Sequence, residues 1–377
     1  MVRAEERILV FNAGSATLKL GVFAADGEQL GERHLDWQPH SDTDHAASIQ
    51  ELLHGVDVEC VGAIGHRVVH GGSRFTTPVL IDALVRDEIA SLATLAPLHN
   101  SLALLVIDEA ARRFPGAPQV AVFDSAFHAT LPPHSYLYAL PYGWYEQWGV
   151  RRFGFHGLSH AYCTERTAEL LGRSPADLNI ITCHLGGGCS LAAIAGGRSV
   201  ATTMGFTPLD GLMMATRPGC VDPGILTYLL SRGDLTLAEL DQALLQDSGL
   251  RGVSGLCGDM REILSARATG HVRAQLAFDL FVTRLREGIA AMMTHLDGLD
   301  ALVFTGGIGE GSAEVRSAAC AGLGWAGIPC IAVANEEADA DCPIGATDSR
   351  VQVLVLHTRE DLMVARQTGE LLGLWRA

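Results

Sequence analysis

The sequence predicts an α/β protein built of two related domains, and three observations carry that prediction. Short β-rich apolar runs alternate with longer stretches whose apolar residues recur at helical spacing. A segment also repeats: "ILVFNAGSATLKLGV" from Ile8 lies over "IITCHLGGGCSLAAI" from Ile180, with Gly14 falling on Gly186. Each copy is an apolar run, a polar residue (Asn12 or His184), a small-residue turn and a second apolar run. A partial third version, "LVFTGGIGEGS" from Leu302, has the first strand and the glycine turn and then continues into helix-like "AEVRSAACAGLG".

Taken in order, each repeated segment is strand, Gly/Ser turn, strand, which is a hairpin signal. "VGAIGHRVVHGG" follows as a strand, and "DALVRDEIASLATLA" and "NSLALLVIDEAARRF" as helices with apolar residues at i, i+3, i+4. "PQVAVFD" is a strand ending the first domain; after the second hairpin come the long helix "VRAQLAFDLFVTRLREGIAAMMTHL" and the strand "VQVLVL". The last helix, "EDLMVARQTGELLGLW", crosses back. No low-complexity linker intervenes, so the boundary falls near "LPPHSY": a first domain of residues 1–127 plus 362–377 and a second of 128–361.

The chain of 377 residues has ample material for two cores, and 48% hydrophobic with 19% charged residues is a globular balance. With 27 Lys+Arg against 43 Asp+Glu the formal charge is −16, which disfavours nucleic acid and anionic membranes as partners. An anionic substrate then needs a local positive site. Nine cysteines, an odd number without C-x-x-C, fit thiols in a reducing cytosol. The charged start "MVRAEERILVF" and the lack of a long apolar stretch complete the expectation of a cytoplasmic protein.

No G-x-x-x-x-G-K-[ST], no strand-linked G-x-G-x-x-G and no G-x-S-x-G occur. What remains for a phosphate is three loops read as hairpin turns, "NAGSATLK", "HLGGGCS" and "TGGIGEGS", whose glycines let backbone N–H groups approach an anion. Arg67 in "GHRVVHGG" and Arg217 in "MMATRPGCVDPG" lie in apolar surroundings, where a cation must meet an anion, either this protein's own carboxylate or a ligand's. His99 follows a proline turn in "APLHNS", and His156 lies between Phe155 and Gly157. His66/His70 and His156/His160 have i, i+4 spacing, but no H-E-x-x-H supports a metal there. Asp124 ends one predicted strand and Glu360 follows another, positions that suit Mg²⁺-binding carboxylates or helix N-caps. Lys19 is the only lysine in the chain.

These segments, in this order and over essentially the whole chain, resemble the acetate kinase family of short-chain acyl kinases, within the superfamily of sugar kinases, actin and heat-shock ATPases. The longest matches are "GHRVVHGG" and "TTMGFTPLDGLMMATRPGCVDP". The resemblance implies two ribonuclease H-like domains with an active-site cleft between them, and a homodimer. It also implies reversible, in-line transfer of the ATP γ-phosphoryl group to acetate with Mg²⁺ (or Mn²⁺), ADP being the other product. Propionate or butyrate as substrate, and a catalytically weakened nucleotide-binding homologue, are the alternatives.

Carried over residue by residue, Asn12 resembles the metal- and phosphate-loop asparagine, with Ser15, Thr17 and Lys19 in the same loop. A compact ammonium serves phosphate as a near-point charge, which gives the lone lysine a reason. Arg67 and Arg217 resemble the arginines that hold the carboxylate and the transferring phosphoryl group; His156 resembles the transition-state histidine and His99 a supporting one. Asp124 and Glu360 resemble the Mg²⁺-linked carboxylates, and Val69, Leu98, Phe155 and Pro208 the acyl pocket. His184, Gly186, Gly187, Gly188, Asp259, Arg261, Gly306, Gly307, Ile308 and Gly309 match the nucleotide set, the last four facing adenosine. The chain departs from the family's pattern at Ala16, Gly187, Cys189, Pro218 and Arg359.

Overall fold

Strands β1 (Arg7–Ala13), β2 (Thr17–Phe23), β3 (Gln29–Asp36), β4 (Val61–Val68), β5 (Val79–Leu80) and β6 (Gln119–Phe123) form one sheet in the order β3-β2-β1-β4-β6-β5. The computed structural model describes residues 7–14, 17–36, 45–56, 60–329, 332–339, 341–346 and 348–376. A second sheet contains β7 (Asn179–Leu185), β8 (Cys189–Ala195), β9 (Arg198–Thr202), β10 (Ala301–Thr305), β11 (Cys342–Pro343) and β12 (Gln352–Val355). Its order is β11-β12-β10-β7-β8-β9, which read from the other edge is the order of the first.

The pairing directions repeat as well. β1–β2 and β2–β3 are antiparallel, β1–β4 and β4–β6 parallel, and β5 runs antiparallel to β6. In the second sheet β7–β8, β8–β9 and β11–β12 are antiparallel while β7–β10 and β10–β12 are parallel. The hairpins read from Ile8 and Ile180 therefore hold the same place in two copies of one α/β plan. The third glycine segment is not a hairpin: β10 occupies the place of β4, not of β1, and Gly306–Gly311 is helical rather than a hairpin turn. A strand that must lie parallel beside its neighbour leaves by a crossover, which a hairpin cannot supply.

Contact between residues divides the chain into two compact units. One comprises Met1–Ala129, Phe155–Tyr162 and Arg359–Ala377; the other comprises Thr130–Gly154 and Cys163–Thr358. In the first, alternate side chains of β1 serve opposite faces. Ile8 and Val10 pack with Met363, Val364 and Ala365 of helix Glu360–Leu372, while Leu9 and Phe11 pack with Leu102, Val106 and Ala110 of helix Pro97–Arg113. In the second, β10 is buried along its whole length, and helix Val272–Met293 turns Phe278, Phe281, Leu285 and Ile289 inward. Among the described residues no helix is long and apolar enough to cross a membrane.

Candidate active site

Register puts chemistry at the ends of parallel strands. Asn12 on β1 lies opposite Lys19 on β2 and Arg67 on β4, and Asp124 directly follows β6. Carboxyl ends of parallel strands are where open α/β sheets bind ligands. Helix Glu360–Leu372 contributes Glu360 and Asp361 from its first turn.

These groups meet around Arg67. Its Nε and Nη2 donate to Asp124 Oδ1 and Oδ2 at 3.0 and 2.5 Å, and Nη1 donates to Asn12 Oδ1 at 2.9 Å. Asn12 Nδ2 donates to Asp361 Oδ1 at 2.8 Å and to Glu360 Oε2 at 3.4 Å, and Glu360 Oε2 lies 3.7 Å from Arg67 Nε. Burial works to lower the Arg67 pKa, but Asp124 and then Glu360 outweigh it and hold the guanidinium well above its ordinary value. Burial raises the Asp124 carboxyl, with the Arg67 charge opposing. Burial likewise raises Asp361, against its hydrogen bond from Asn12. The cation is thus secure, and burial bears on its carboxylates. Neither Asp124 nor Glu360 is an α-helix N-cap: Asp124 binds Arg67, and Glu360 is already inside the helix that Arg359 precedes.

Asp124 also holds the "FGFHGLSH" segment. Its side chain accepts the backbone N–H of His156, and its carbonyl accepts that of Gly157 at 3.0 Å. A Cβ at 157 would stand 2.0 Å from that carbonyl oxygen, so glycine is required. His156 has φ 57°, the one positive φ of a non-glycine residue among the described residues. Such backbone strain persists where surrounding contacts enforce it. His156 is half-buried, and Phe155 beside it is buried with its ring edge-on to His70 at 5.3 Å.

Other predicted residues of this unit fall nearby in sequence or register. Val69 is buried. His99 sits in the first turn of helix Pro97–Arg113, not in a loop after the proline, because Pro97 is well suited to open a helix. Leu98 shares that turn, and its side chain lies outside the described residues, as does Ser15 altogether. The Thr17 carbonyl accepts Gly14 N–H at 2.8 Å, closing the first turn. Lys19 is exposed and makes no ion pair among the described residues, and its charge acts to lower the Asp361 carboxyl.

In the second unit β7 and β10 pair His184 with Thr305, so the Gly186–Gly188 turn and the Gly306–Gly311 helix leave the same sheet end. Gly307 N lies 3.9 Å from the position a Cβ on Gly186 would take. Gly186 N–H donates to Gly188 O at 2.9 Å, and Cys189 Sγ donates to Gly186 O at 3.4 Å. Burial pushes the Cys189 thiol up to about 12, which keeps it protonated. Nothing lies within 4 Å of a Cβ at Gly187, so packing there does not demand glycine. Ile308 lies within the Gly306–Gly311 helix, in which Gly309 is buried.

Arg217 is built differently from Arg67. Its Nη1 donates to Pro208 O at 2.8 Å, and among the described residues it has no carboxylate partner. Burial lowers its pKa. Its own carbonyl accepts Met214 N–H at 3.0 Å, and Ala215 N–H donates to Gly187 O at 3.2 Å, tying the loop to the glycine turn. Asp259 and Arg261 mostly satisfy each other: Asp259 caps helix Met260–Ala268 by accepting Arg261 N–H at 2.8 Å, and their side chains pair at 2.5 Å. Sequence reasoning missed Asp361, the closest partner of Asn12, and Glu310, which gathers donors at the glycine helix. Adjacent acidity beside Glu360 was the available signal for the first.

Asn12, Asp124, Glu360 and Asp361 offer amide and carboxylate oxygens, the hard donors that suit Mg²⁺ or Mn²⁺. No group of three His, Cys, Asp or Glu side chains forms a ready-made cage among the described residues. Mg²⁺ that keeps waters and phosphate oxygens needs only one or two carboxylates.

Two six-stranded mixed sheets of one topology define a duplicated α/β protein. A profile described as the Acetokinase family matches residues 38–366. A protein named acetate kinase from Synechococcus sp. (strain JA-2-3B'a(2-13)) is 48% identical over 400 residues, covering 97% of this chain and 99% of its own. The crystal structure of Porphyromonas gingivalis acetate kinase superposes with TM-score 0.88 at 35% identity, covering 97% of this chain and 100% of that one. A propionate kinase from Francisella tularensis superposes with TM-score 0.87 at 36% identity, over 97% and 99% of the two chains. The chain belongs to the acetokinase family.

Proposed function

We propose that this chain catalyses reversible transfer of the γ-phosphoryl group of ATP to acetate, giving acetyl phosphate and ADP. The observation that carries the reading is Arg217, a partly buried guanidinium given one carbonyl and no carboxylate among the described residues. A cation so placed calls for an anion from outside the chain. The names of the relatives fit an anion that is a carboxylate or a phosphoryl group.

Acetate is already ionised at neutral pH, so its oxygen attacks without a general base. Catalysis then rests on positioning and charge stabilisation. Asn12 and Glu360, with Asp361 accepting from Asn12 Nδ2, are the residues that would hold Mg²⁺ or Mn²⁺, whose charge would neutralise phosphate oxygens. Arg67 commits three of its donors to Asp124 and Asn12; a guanidinium carries five, so its fork can still meet a ligand oxygen. Asp124 fixes Arg67 and the His156 peptide; His156 is assigned to the transferring group and His99 supports it. Lys19, Thr17, Ser15, His184 and Gly186–Gly188 are assigned to phosphates, and Gly306–Gly309 with Asp259 and Arg261 to the nucleoside. Val69, Leu98, Phe155 and Pro208 are assigned to the acyl methyl group. A cytoplasmic homodimer completes the reading, on family grounds.

The Francisella relative gives propionate specific standing as a second reading. One methylene discriminates by only about 1–3 kcal/mol in an apolar pocket. The test is turnover of MgATP with acetate, propionate and butyrate, trapping acyl phosphate with hydroxylamine. Hydroxamate formed best with acetate is the expected result. A propionate preference would keep the mechanism and move the pocket assignment; no hydroxamate from folded protein with any acid would sink the function.

A further inference from the structure

The geometry points to Glu310 as a positioning residue for the nucleotide-binding turn, a role that rests on the reading of Gly306–Gly309 as facing adenosine. Four of the six residues of helix Gly306–Gly311 are glycine, the residue with most backbone freedom to lose. A segment of that composition binds a ligand well only if it has already been ordered. Thr305 occupies the N-cap position and supplies no side-chain cap. Glu310 Oε1 takes over that task, accepting Gly306 N–H at 2.8 Å, the Thr305 hydroxyl at 3.2 Å and Thr358 N–H at 3.1 Å. Its Oε2 meets His357 Nδ1.

Gly306 is the hinge of this arrangement. Its φ is 77°, and a Cβ there would lie 2.8 Å from Leu185 O. One carboxylate therefore fixes the positive-φ peptide that starts the turn and ties it to Thr358, the last residue before the chain passes into the first unit. The other end is held separately. Arg316, almost wholly buried, donates to the carbonyls of Gly309 at 2.9 Å and Glu310 at 2.6 Å, and to Asn335 Oδ1 at 2.7 Å. With Arg316 fixing the carbonyl end, removing Glu310 loosens the amide end and leaves the segment in place. The expected consequence is weaker nucleotide binding without loss of the acyl site.

The experiment compares the full-length parent with Glu310→Ala, Glu310→Gln and Glu310→Asp. The readouts are KM for ATP, KM for acetate, calorimetric MgATP binding, and hydrogen exchange of the peptide spanning Gly306–Gly311. Glu310→Ala is expected to raise KM for ATP about 10- to 100-fold, with KM for acetate within about twofold and faster exchange in that peptide alone. Glu310→Gln keeps an acceptor oxygen at full reach and is expected to restore ATP binding; Glu310→Asp, one methylene shorter, is not. Should Glu310→Ala fail to fold, the Gln and Asp variants decide by the same contrast. Unchanged KM for ATP in every folded variant, or equal rises for ATP and acetate, would overturn the role. Absence of MgATP binding by the parent would instead remove the nucleotide reading beneath it, and the two failures are distinguishable.

Discussion

Arg67 and Arg217 carry the same charge and occupy similarly apolar stretches of sequence, yet their surroundings are opposite. Arg67 is met on three donors by Asp124 and Asn12, with Glu360 at 3.7 Å. Arg217 has the Pro208 carbonyl and no carboxylate among the described residues. The cost of burying a cation says that an anion is needed, and not whose anion it is. Where the chain supplies its own carboxylates, the arginine is scaffold. Where it supplies none, we propose that the anion comes from the substrate.

The comparison breaks most sharply at Arg217. Arg217→Ala is expected to lower kcat/KM for acetate by about 10³-fold or more, as for other arginines at a transferring phosphoryl group. Since the side chain gives up one carbonyl contact, Tm should move by only a few degrees. Arg67→Ala should lose activity too, and here the fold suffers: an unpaired buried Asp124 costs about 3–5 kcal/mol, read as a lower urea midpoint. The pH dependence has a definite sign. Burial raises the Asp124 carboxyl in the folded state, so it takes stability away as pH rises above the ordinary aspartate range. Arg67 opposes that loss, and the deficit of Arg67→Ala against the parent should therefore shrink as pH falls back toward that range. A deficit that grew on acidification would mean that Asp124 is not the group left unpaired.

Two smaller changes sharpen the contrast. Lys19→Arg keeps the charge and replaces a point charge with a planar fork; it should raise KM for ATP about tenfold and leave Tm unchanged, because Lys19 is exposed and makes no ion pair among the described residues. Cys189→Ser exchanges a weak donor to Gly186 O for a stronger one in the same place, and kcat should stay within about threefold. A large loss there would give the thiol a part that its geometry does not suggest.

How much of this was legible in the sequence follows a physical line. The eight inner strands were readable as apolar runs, because both their faces or one face and both edges are covered. The four strands that left no such signal, β3, β5, β9 and β11, are the edges of the two sheets. β3, "QLGERHLD", is charged because an edge strand is protected by polar residues rather than by burial. The hairpins were legible as a repeat; the helical state of Gly306–Gly311 was not, since glycine carries no periodicity and the turn is held by Glu310 and Arg316. At the site, Arg67, Asp124 and Glu360 announced themselves by type and position. Their mutual contacts, the part of Asp361 and the positive φ of His156 depend on which strands and helices meet, which only the fold reveals.

The most direct test of the account is hydroxamate formation from MgATP and acetate by the parent and by Arg217→Ala side by side, with thermal unfolding of both recorded. Abundant hydroxamate is expected from the parent, none above background from the variant, and nearly coincident unfolding curves. Turnover by the variant within about tenfold of the parent would contradict it. The anion that Arg217 lacks would then not be the one that reacts.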